Sequence, residues 1–286
     1  MNTERDFHET VTPEMTIMSS EFQQYNGELP VVLGRTERDE YFMFDLVKMP
    51  HLLIVGSTGM GKSVGINNII ASLLTRKKPS ELQFVLIDTK MVEFGHYEPL
   101  EKCGYLTKIK SEDDAIITDY GLVAKTIQSL CIEMNNRLTR TDTARTQPRI
   151  VVVIDEFSDL MLLKKATRKE VEANIVNLAT KGHEVGIHLV VATFRPDNRV
   201  ISDAVKRCFT ARMAFRLVSP IECERIVGTT GKELTERGDM LFFKDEKLTC
   251  VKCALIETPE IEKIIEIIST RNGFPYTLPL AYDDNF

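Results

Sequence analysis

The sequence has no apolar run of about 18 residues, so no segment reads as a membrane-spanning helix. Its first residues, Met1 to Glu9, are polar and charged and lack the apolar core of a secretory signal. The chain is therefore expected in the cytoplasm, without direct membrane insertion, and any membrane role would need a recruiting partner. Cysteine is scattered: of Cys103, Cys131, Cys208, Cys223, Cys250 and Cys253, only Cys250-Val-Lys-Cys253 has the gap of a metal knuckle or redox pair. That pair lies in an alternating apolar run, Leu248 to Ile256, and no second pair or nearby histidine completes a zinc site. Reduced, partly buried thiols are the reading that remains, with no structural metal. Positive charge is not in surplus either. The net charge of −6 excludes a surface coated in basic side chains for nonspecific nucleic-acid binding. A local basic patch stays open, because a ring can present a few lysines per subunit to its channel. Internal repeats and low-complexity segments are also missing.

What is present is an ordinary globular composition, 43% hydrophobic and 27% charged over 286 residues, enough for one large α/β domain with an appendage. Residues 56–63 read Gly-Ser-Thr-Gly-Met-Gly-Lys-Ser, directly after the apolar run Leu52-Leu53-Ile54-Val55. A strand, a glycine-rich loop and a helix start in this order cradle the phosphates of a nucleoside triphosphate. The backbone N–H groups of Gly56, Ser57, Thr58, Gly59, Met60, Gly61, Lys62, Ser63 and Val64 are the expected cradle. Lys62 is expected to reach the β- and γ-phosphates, and the Ser63 hydroxyl to hold Mg²⁺. Apolar side chains at helical spacing over residues 64–74 supply the helix that the motif requires.

Hydrolysis needs a second element, and Ile150-Val151-Val152-Val153-Ile154-Asp155-Glu156 reads as a buried strand ending in two acids. Asp155 is expected to hold the Mg²⁺ water shell and Glu156 to polarise an attacking water. Asp88, at the tip of the strand Gln83 to Ile87, either assists near the metal or caps the next helix. Thr193, ending the strand Ile187 to Ala192, either senses the γ-phosphate or bonds backbone. A long helix is expected near 113–139, with Ile117, Val123, Ile127, Leu130, Met134 and Leu138 as its buried stripe. Further helices are expected around 168–181, 222–227 and 260–270, and strands near 209–217, 240–243 and 248–256. Alternating strands and helices with near-continuous apolar strands imply a mostly parallel sheet covered on both faces.

These segments together resemble the motor domain of the FtsK/SpoIIIE family, within the HerA/FtsK branch of P-loop ATPases. The resemblance is carried in order by Pro50 to Gly56, the loop to Ser63 with Val64-Gly65-Ile66-Asn67, and Leu86-Ile87-Asp88-Thr89-Lys90-Met91. It continues through Asp155-Glu156-Phe157-Ser158-Asp159-Leu160-Met161, Gly186-Ile187-His188-Leu189, Ala192-Thr193 with Arg195-Pro196, and Gly238-Asp239-Met240-Leu241. It implies a RecA-like P-loop NTPase core and a small N-terminal subdomain. The expected divisions are a loosely ordered lead-in (1–26), a β subdomain (27–49), the ATPase core (50–258) and a C-terminal helix and tail (259–286). It further implies ATP and Mg²⁺ as cofactors, a hexameric homo-oligomeric ring, and ATP hydrolysis coupled to translocation of double-stranded DNA. Too few residues follow Ile256 for a winged-helix DNA reader, so a stand-alone motor is expected.

Three departures stand out. Phe194 occupies the place of a family glutamine, Asp88-Thr89-Lys90 replaces Asp-Pro-Lys, and Lys181 to Val185 lacks a frequent arginine. Arg195, Arg207, Arg212 and Arg216 are arginine-finger candidates for a neighbouring subunit's site. Lys164, Lys165, Arg168 and Lys169 are the favoured DNA contacts, and Arg137, Arg140, Arg145 and Arg149 form a second basic stretch. Two alternative functions remain: an ATPase subunit of a conjugation or secretion machine acting on protein cargo, and a slow-turnover ATP-binding interaction module.

Overall fold

In the computed structural model, residues 10–109, 115–140, 147–228, 234, 236–271 and 273–279 are described. In chain order the elements are α1 (Ser20–Gln24), β1 (Pro30–Thr36), β2 (Tyr41–Asp45), β3 (His51–Val55), α2 (Lys62–Arg76), β4 (Leu82–Ile87), β5 (Lys108–Ile109) and β6 (Ile116–Ile117). There follow α3 (Tyr120–Thr139), β7 (Arg149–Ile154), α4 (Lys165–Lys181), β8 (Ile187–Thr193), α5 (Asp203–Cys208), β9 (Ala211–Phe215) and α6 (Pro220–Val227). The hairpin β10 (Asp239–Lys244) and β11 (Lys247–Cys253), α7 (Thr258–Ile268) and β12 (Thr277–Leu278) complete the order.

Ten strands form one sheet in the order β2-β1-β11-β10-β9-β3-β8-β7-β4-β6. From β9 to β6 every pairing is parallel, and from β9 to β2 every pairing is antiparallel. The parallel strands are apolar at nearly every position because both faces are covered. Alternation along the pleat then divides their side chains between two cores. Leu52, Ile54, Val151 and Val153 meet α2 and α7 on one face. Leu53, Val55, Val152 and Ile154 meet α3 and α4 on the other. Each such fully buried aliphatic side chain contributes about 1.5–3 kcal/mol. The β10–β11 turn places Asp245 at φ 48° and Glu246 at φ 60°, the left-handed pair that matches strand twist in a tight hairpin.

The lead-in is not loose over its described residues. Ser19 caps α1 by accepting from Phe22 N, Ile17 and Phe22 are fully buried, and Arg76 donates to the carbonyls of Phe22 and Tyr25. Its single short helix carries no periodic stripe, so isolated anchors hold it instead. Residues 27–49 also form no separate unit, because β1 pairs with β11 and extends the central sheet. At the other end, Ile261, Ile264, Ile265 and Ile268 of α7 join the α2 core, so this helix is part of the same body. The long helix starts later than its apolar pattern implied, because Asp119 caps it and accepts from Leu122 N. Ile117 is thereby a strand residue paired with Ile87, and Leu138 is exposed. The helix α5 carries no apolar stripe and went unexpected.

The C-terminal ends of β3, β4, β7 and β8 lie side by side. Their loops collect residues 56–61, 88–94, 155–159 and 193–195 at one edge of the sheet, where open α/β sheets bind ligands.

Candidate functional site

The glycine-rich loop turns directly from β3 into α2. Gly59 at φ 77° and Gly61 at φ 121° occupy backbone conformations that suit only glycine. Gly61 is the residue preceding the helix and brings no side-chain cap, so the first N–H groups of α2 are left for a ligand. Crowding explains the other glycines. A Cβ on Gly56 would lie 2.7 Å from Phe215 Cβ, one on Gly61 3.0 Å from the Phe215 ring, and one on Gly65 2.8 Å from it. Phe215, fully buried at the end of β9, is thus the floor of the loop, a role that its sequence context did not signal. Ser57 N donates to Arg216 O at 2.9 Å and Gly238 N to Met60 O at 3.2 Å, tying the loop to β9 and to the start of β10.

Beside the loop, β8 separates β3 from β7, and Val55 is in register with Thr193. Thr193 is completely buried, and its hydroxyl donates to Glu156 Oε1 at 2.6 Å while accepting from Arg195 N at 3.1 Å. Glu156 is held on all sides. Its Oε1 also accepts from Ser158 N at 3.0 Å, and its Oε2 from Phe194 N at 3.0 Å. The contact to residue 194 is made by backbone, so a phenylalanine there preserves it. The Phe194 ring is partly exposed with Lys90 Nζ 5.8 Å above it. Asp155, next in the strand tip, is pushed up to about 7 by burial and by Glu93, against the pull of Lys62, with Asp88 and Glu156 adding to the rise. A half-buried carboxyl among other acids, with a lysine opposite, is a place that gains from a divalent cation.

Asp88 braces the loop that follows β4, accepting from Lys90 N at 3.2 Å, Glu93 N at 2.8 Å and Phe94 N at 3.0 Å, and its charge also acts on Asp155; the next helix takes no side-chain cap from it. Its neighbours reach across to the segment after Glu156. Thr89 Oγ1 donates to Asp159 Oδ2 at 2.6 Å and Lys90 Nζ pairs with Asp159 at 3.1 Å.

Of the arginine-finger candidates, Arg212 is spoken for. Its nitrogens donate to the carbonyls of Phe209 (3.0 Å), Ile226 (2.6 Å) and Lys206 (3.0 Å), so it clamps α5 and α6 to β9 rather than reaching out. Arg195, Arg207 and Arg216 are exposed, with Arg195 3.6 Å from Asp197. Lys164, Lys165 and Lys169 are exposed at the start of α4, and Arg168 lies against Met161 Sδ at 3.6 Å. The second basic stretch does not form a free surface. Arg137 is 2% exposed, paired with Glu133 at 2.6 Å and bonded to the carbonyls of Pro148 and Val185. Arg149 pairs with Glu28, Arg140 is exposed, and Arg145 lies outside the described residues. Cys250 and Cys253 form no disulfide, and burial pushes the Cys253 thiol up to about 12 against a bond from Asn68.

The family model of the FtsK/SpoIIIE family matches residues 15–146 and 138–198. The chain belongs to the FtsK/SpoIIIE family. It is 37% identical over 276 residues to the DNA translocase FtsK of Chlorobaculum tepidum, covering 90% of this chain and 34% of that protein. To the DNA translocase FtsK of Helicobacter pylori strain J99 it is 35% identical over 279 residues, covering 91% and 32%. The chain therefore spans about a third of the length of these curated relatives. Among solved structures it is similar to the pCW3 conjugation coupling protein TcpA, a monomer form with ATPγS. That match has a TM-score of 0.71 at 25% identity, covering 87% of this chain and 73% of that one. The cytoplasmic domain of the type VII secretion ATPase EccC of Thermomonospora curvata shares the fold, with a TM-score of 0.76 at 20% identity over 96% of this chain and 36% of that one. No described helix is long and apolar enough to cross a membrane.

Proposed function

We propose that this chain is the motor ATPase of a double-stranded DNA translocase, hydrolysing ATP to move DNA through a homo-oligomeric, hexameric ring. The observation that carries the reading is the juxtaposition at the sheet edge. An uncapped helix start with Lys62 faces a half-buried Asp155, and Glu156 is fixed between Thr193 and the backbone of residue 194. The phosphates rest on the backbone N–H groups from Gly56 to Val64, with Lys62 opposing the charge of the β- and γ-phosphates. The Ser63 hydroxyl and Asp155 would hold Mg²⁺, which would supply charge neutralisation at the phosphates. Glu156 takes the proton of the attacking water, and Thr193 orients that carboxylate. Arg195, Arg207 or Arg216 of an adjacent subunit completes the site.

The basic start of α4, with Lys164, Lys165, Arg168 and Lys169, follows the Asp155–Glu156 strand tip by one short segment, which suits it to carry motion to the DNA phosphates. Similarity to relatives named DNA translocases, and to a conjugation coupling protein at 25% identity, favours DNA over protein as cargo. Purified chain assayed for ATP hydrolysis with and without long double-stranded DNA, over a range of salt, tests this. Stimulation that fades as salt rises is expected, because phosphate contacts release counterions. Turnover indifferent to DNA would favour protein cargo, and binding without turnover the slow module.

A further inference from the structure

Beside Glu156 lies a cluster of side chains that phosphate binding and proton removal leave unused. Asp159 sits in the 3-10 turn Phe157–Leu162 that follows the strand tip, and it is 6% exposed. Both of its carboxylate oxygens are taken by the loop after β4, Oδ2 by the Thr89 hydroxyl and Oδ1 by Lys90 Nζ. That loop is itself held, since Asp88 accepts from Lys90 N. Lys90 Nζ also stands 5.8 Å from the centre of the Phe194 ring, within range of a cation–π contact. One lysine on the loop after β4 thus touches the segments that follow both β7 and β8.

What the cluster controls follows from the bonds of Glu156. Its Oε1 accepts from Thr193 Oγ1 and from Ser158 N, which together occupy the lone pairs of that oxygen. Among the described residues Oε2 accepts from Phe194 N alone, so it keeps a lone pair for the attacking water. The place of Oε2 is set from two directions. Phe194 N fixes the oxygen from β8, and Asp159 N, donating to Glu156 O at 3.2 Å, fixes the backbone of Glu156 from the turn. Lys90 bears on both, through the Phe194 ring and through the Asp159 carboxylate. Its side chain is half exposed, so replacing it leaves the core intact.

We infer that Lys90 and Asp159 are positioning residues for hydrolysis, locking the tips of β4, β7 and β8 together so that Glu156 Oε2 meets the attacking water. The inference rests on Glu156 being the base. It places Lys90 on the water side of the reaction, acting through Glu156 and not by binding phosphate.

Steady-state ATP hydrolysis by the full chain, with Mg²⁺ and long double-stranded DNA, tests this beside equilibrium binding of a non-hydrolysable ATP analogue. Lys90→Met should lower kcat about tenfold or more, because a displaced base is costly, and leave affinity for the analogue within about twofold. Lys90→Arg should recover most of that loss, since a guanidinium pairs with a carboxylate and stacks on an aromatic ring. Asp159→Asn should lose about as much as Lys90→Met, and the double variant no more than either alone, because the two act as a unit. The two Lys90 variants decide the matter even if Asp159→Asn, which alters a buried carboxylate, fails to fold. Wild-type kcat in Lys90→Met, no recovery in Lys90→Arg, or losses that multiply in the double variant would overturn the inference. So would a tenfold loss of affinity for the analogue in Lys90→Met, which would make Lys90 a phosphate ligand. Glu156→Gln turning over as wild type does, or a wild type without turnover, would overturn the base assignment and the inference with it.

Discussion

Asp155→Asn should stabilise the nucleotide-free protein at pH 8, and by a smaller amount at pH 5. The carboxyl sits among Glu93, Asp88 and Glu156 with only Lys62 to offset them, and burial with these acids raises it from 3.8 to about 7. The folded chain therefore holds the Asp155 proton more tightly than the unfolded chain. That contribution to stability is complete below pH 3.8 and is lost as pH rises through about 7. At 1.36 kcal/mol per pH unit the interval corresponds to about 4 kcal/mol. Allowing half of it to be recovered by water and side-chain relaxation leaves about 2 kcal/mol, or about 4 °C in Tm for a chain of this size. Asparagine resembles the neutral carboxyl, so at pH 8 the variant escapes the whole cost of the ionised carboxyl, and at pH 5 only the smaller part accrued between pH 3.8 and 5. Thermal melts by circular dichroism at the two pH values, without nucleotide or divalent cation, make the comparison. A Tm difference that is the same at both pH values, or an asparagine variant melting below wild type at pH 8, would refute the reasoning.

Other outcomes follow from the same geometry. Glu156→Gln should bind ATP with an affinity close to wild type and lose turnover by about 10²-fold or more, since an amide is not a base; equilibrium binding and steady-state hydrolysis read the two separately. Gly65→Ala should cost about 1–3 kcal/mol in a denaturant titration, because its Cβ would sit 2.8 Å from the Phe215 ring, and adding Phe215→Leu should recover much of the loss. Glu133→Ala should cost about 3–5 kcal/mol, leaving Arg137 buried without its partner, whereas a cost under about 1 kcal/mol would show that the pair is solvated.

The parts of the site that sequence disclosed are those where chemistry and backbone geometry act over a few adjacent residues. The loop from Gly56 to Ser63 and the strand ending in Asp155-Glu156 are of this kind, and their apolar flanks made the parallel sheet legible as well. What was hidden depends on partners distant in the chain. Nothing near Arg212 in sequence marks Ile226 O as its acceptor, and nothing near Arg137 marks Val185 O, so an arginine with a committed partner looks like one that is free. Phe215 was read as one more strand residue, because its contacts to Gly56, Gly61 and Gly65 exist only after β9 lies beside β3. The segment around Ile17 and Phe22 lacks periodicity, and its burial comes from a core assembled elsewhere. Even the substitution at Phe194 reads differently in three dimensions, since Glu156 uses the backbone N–H at that position.

The central claim is that ATP hydrolysis at this site moves the chain along double-stranded DNA. Displacement of a triplex-forming strand from one end of a long duplex, followed by fluorescence with added ATP and Mg²⁺, tests it most directly. Wild-type chain should release the third strand at a rate that depends on ATP, and Glu156→Gln should not release it. ATP hydrolysis by wild type without any release of the strand would contradict the account.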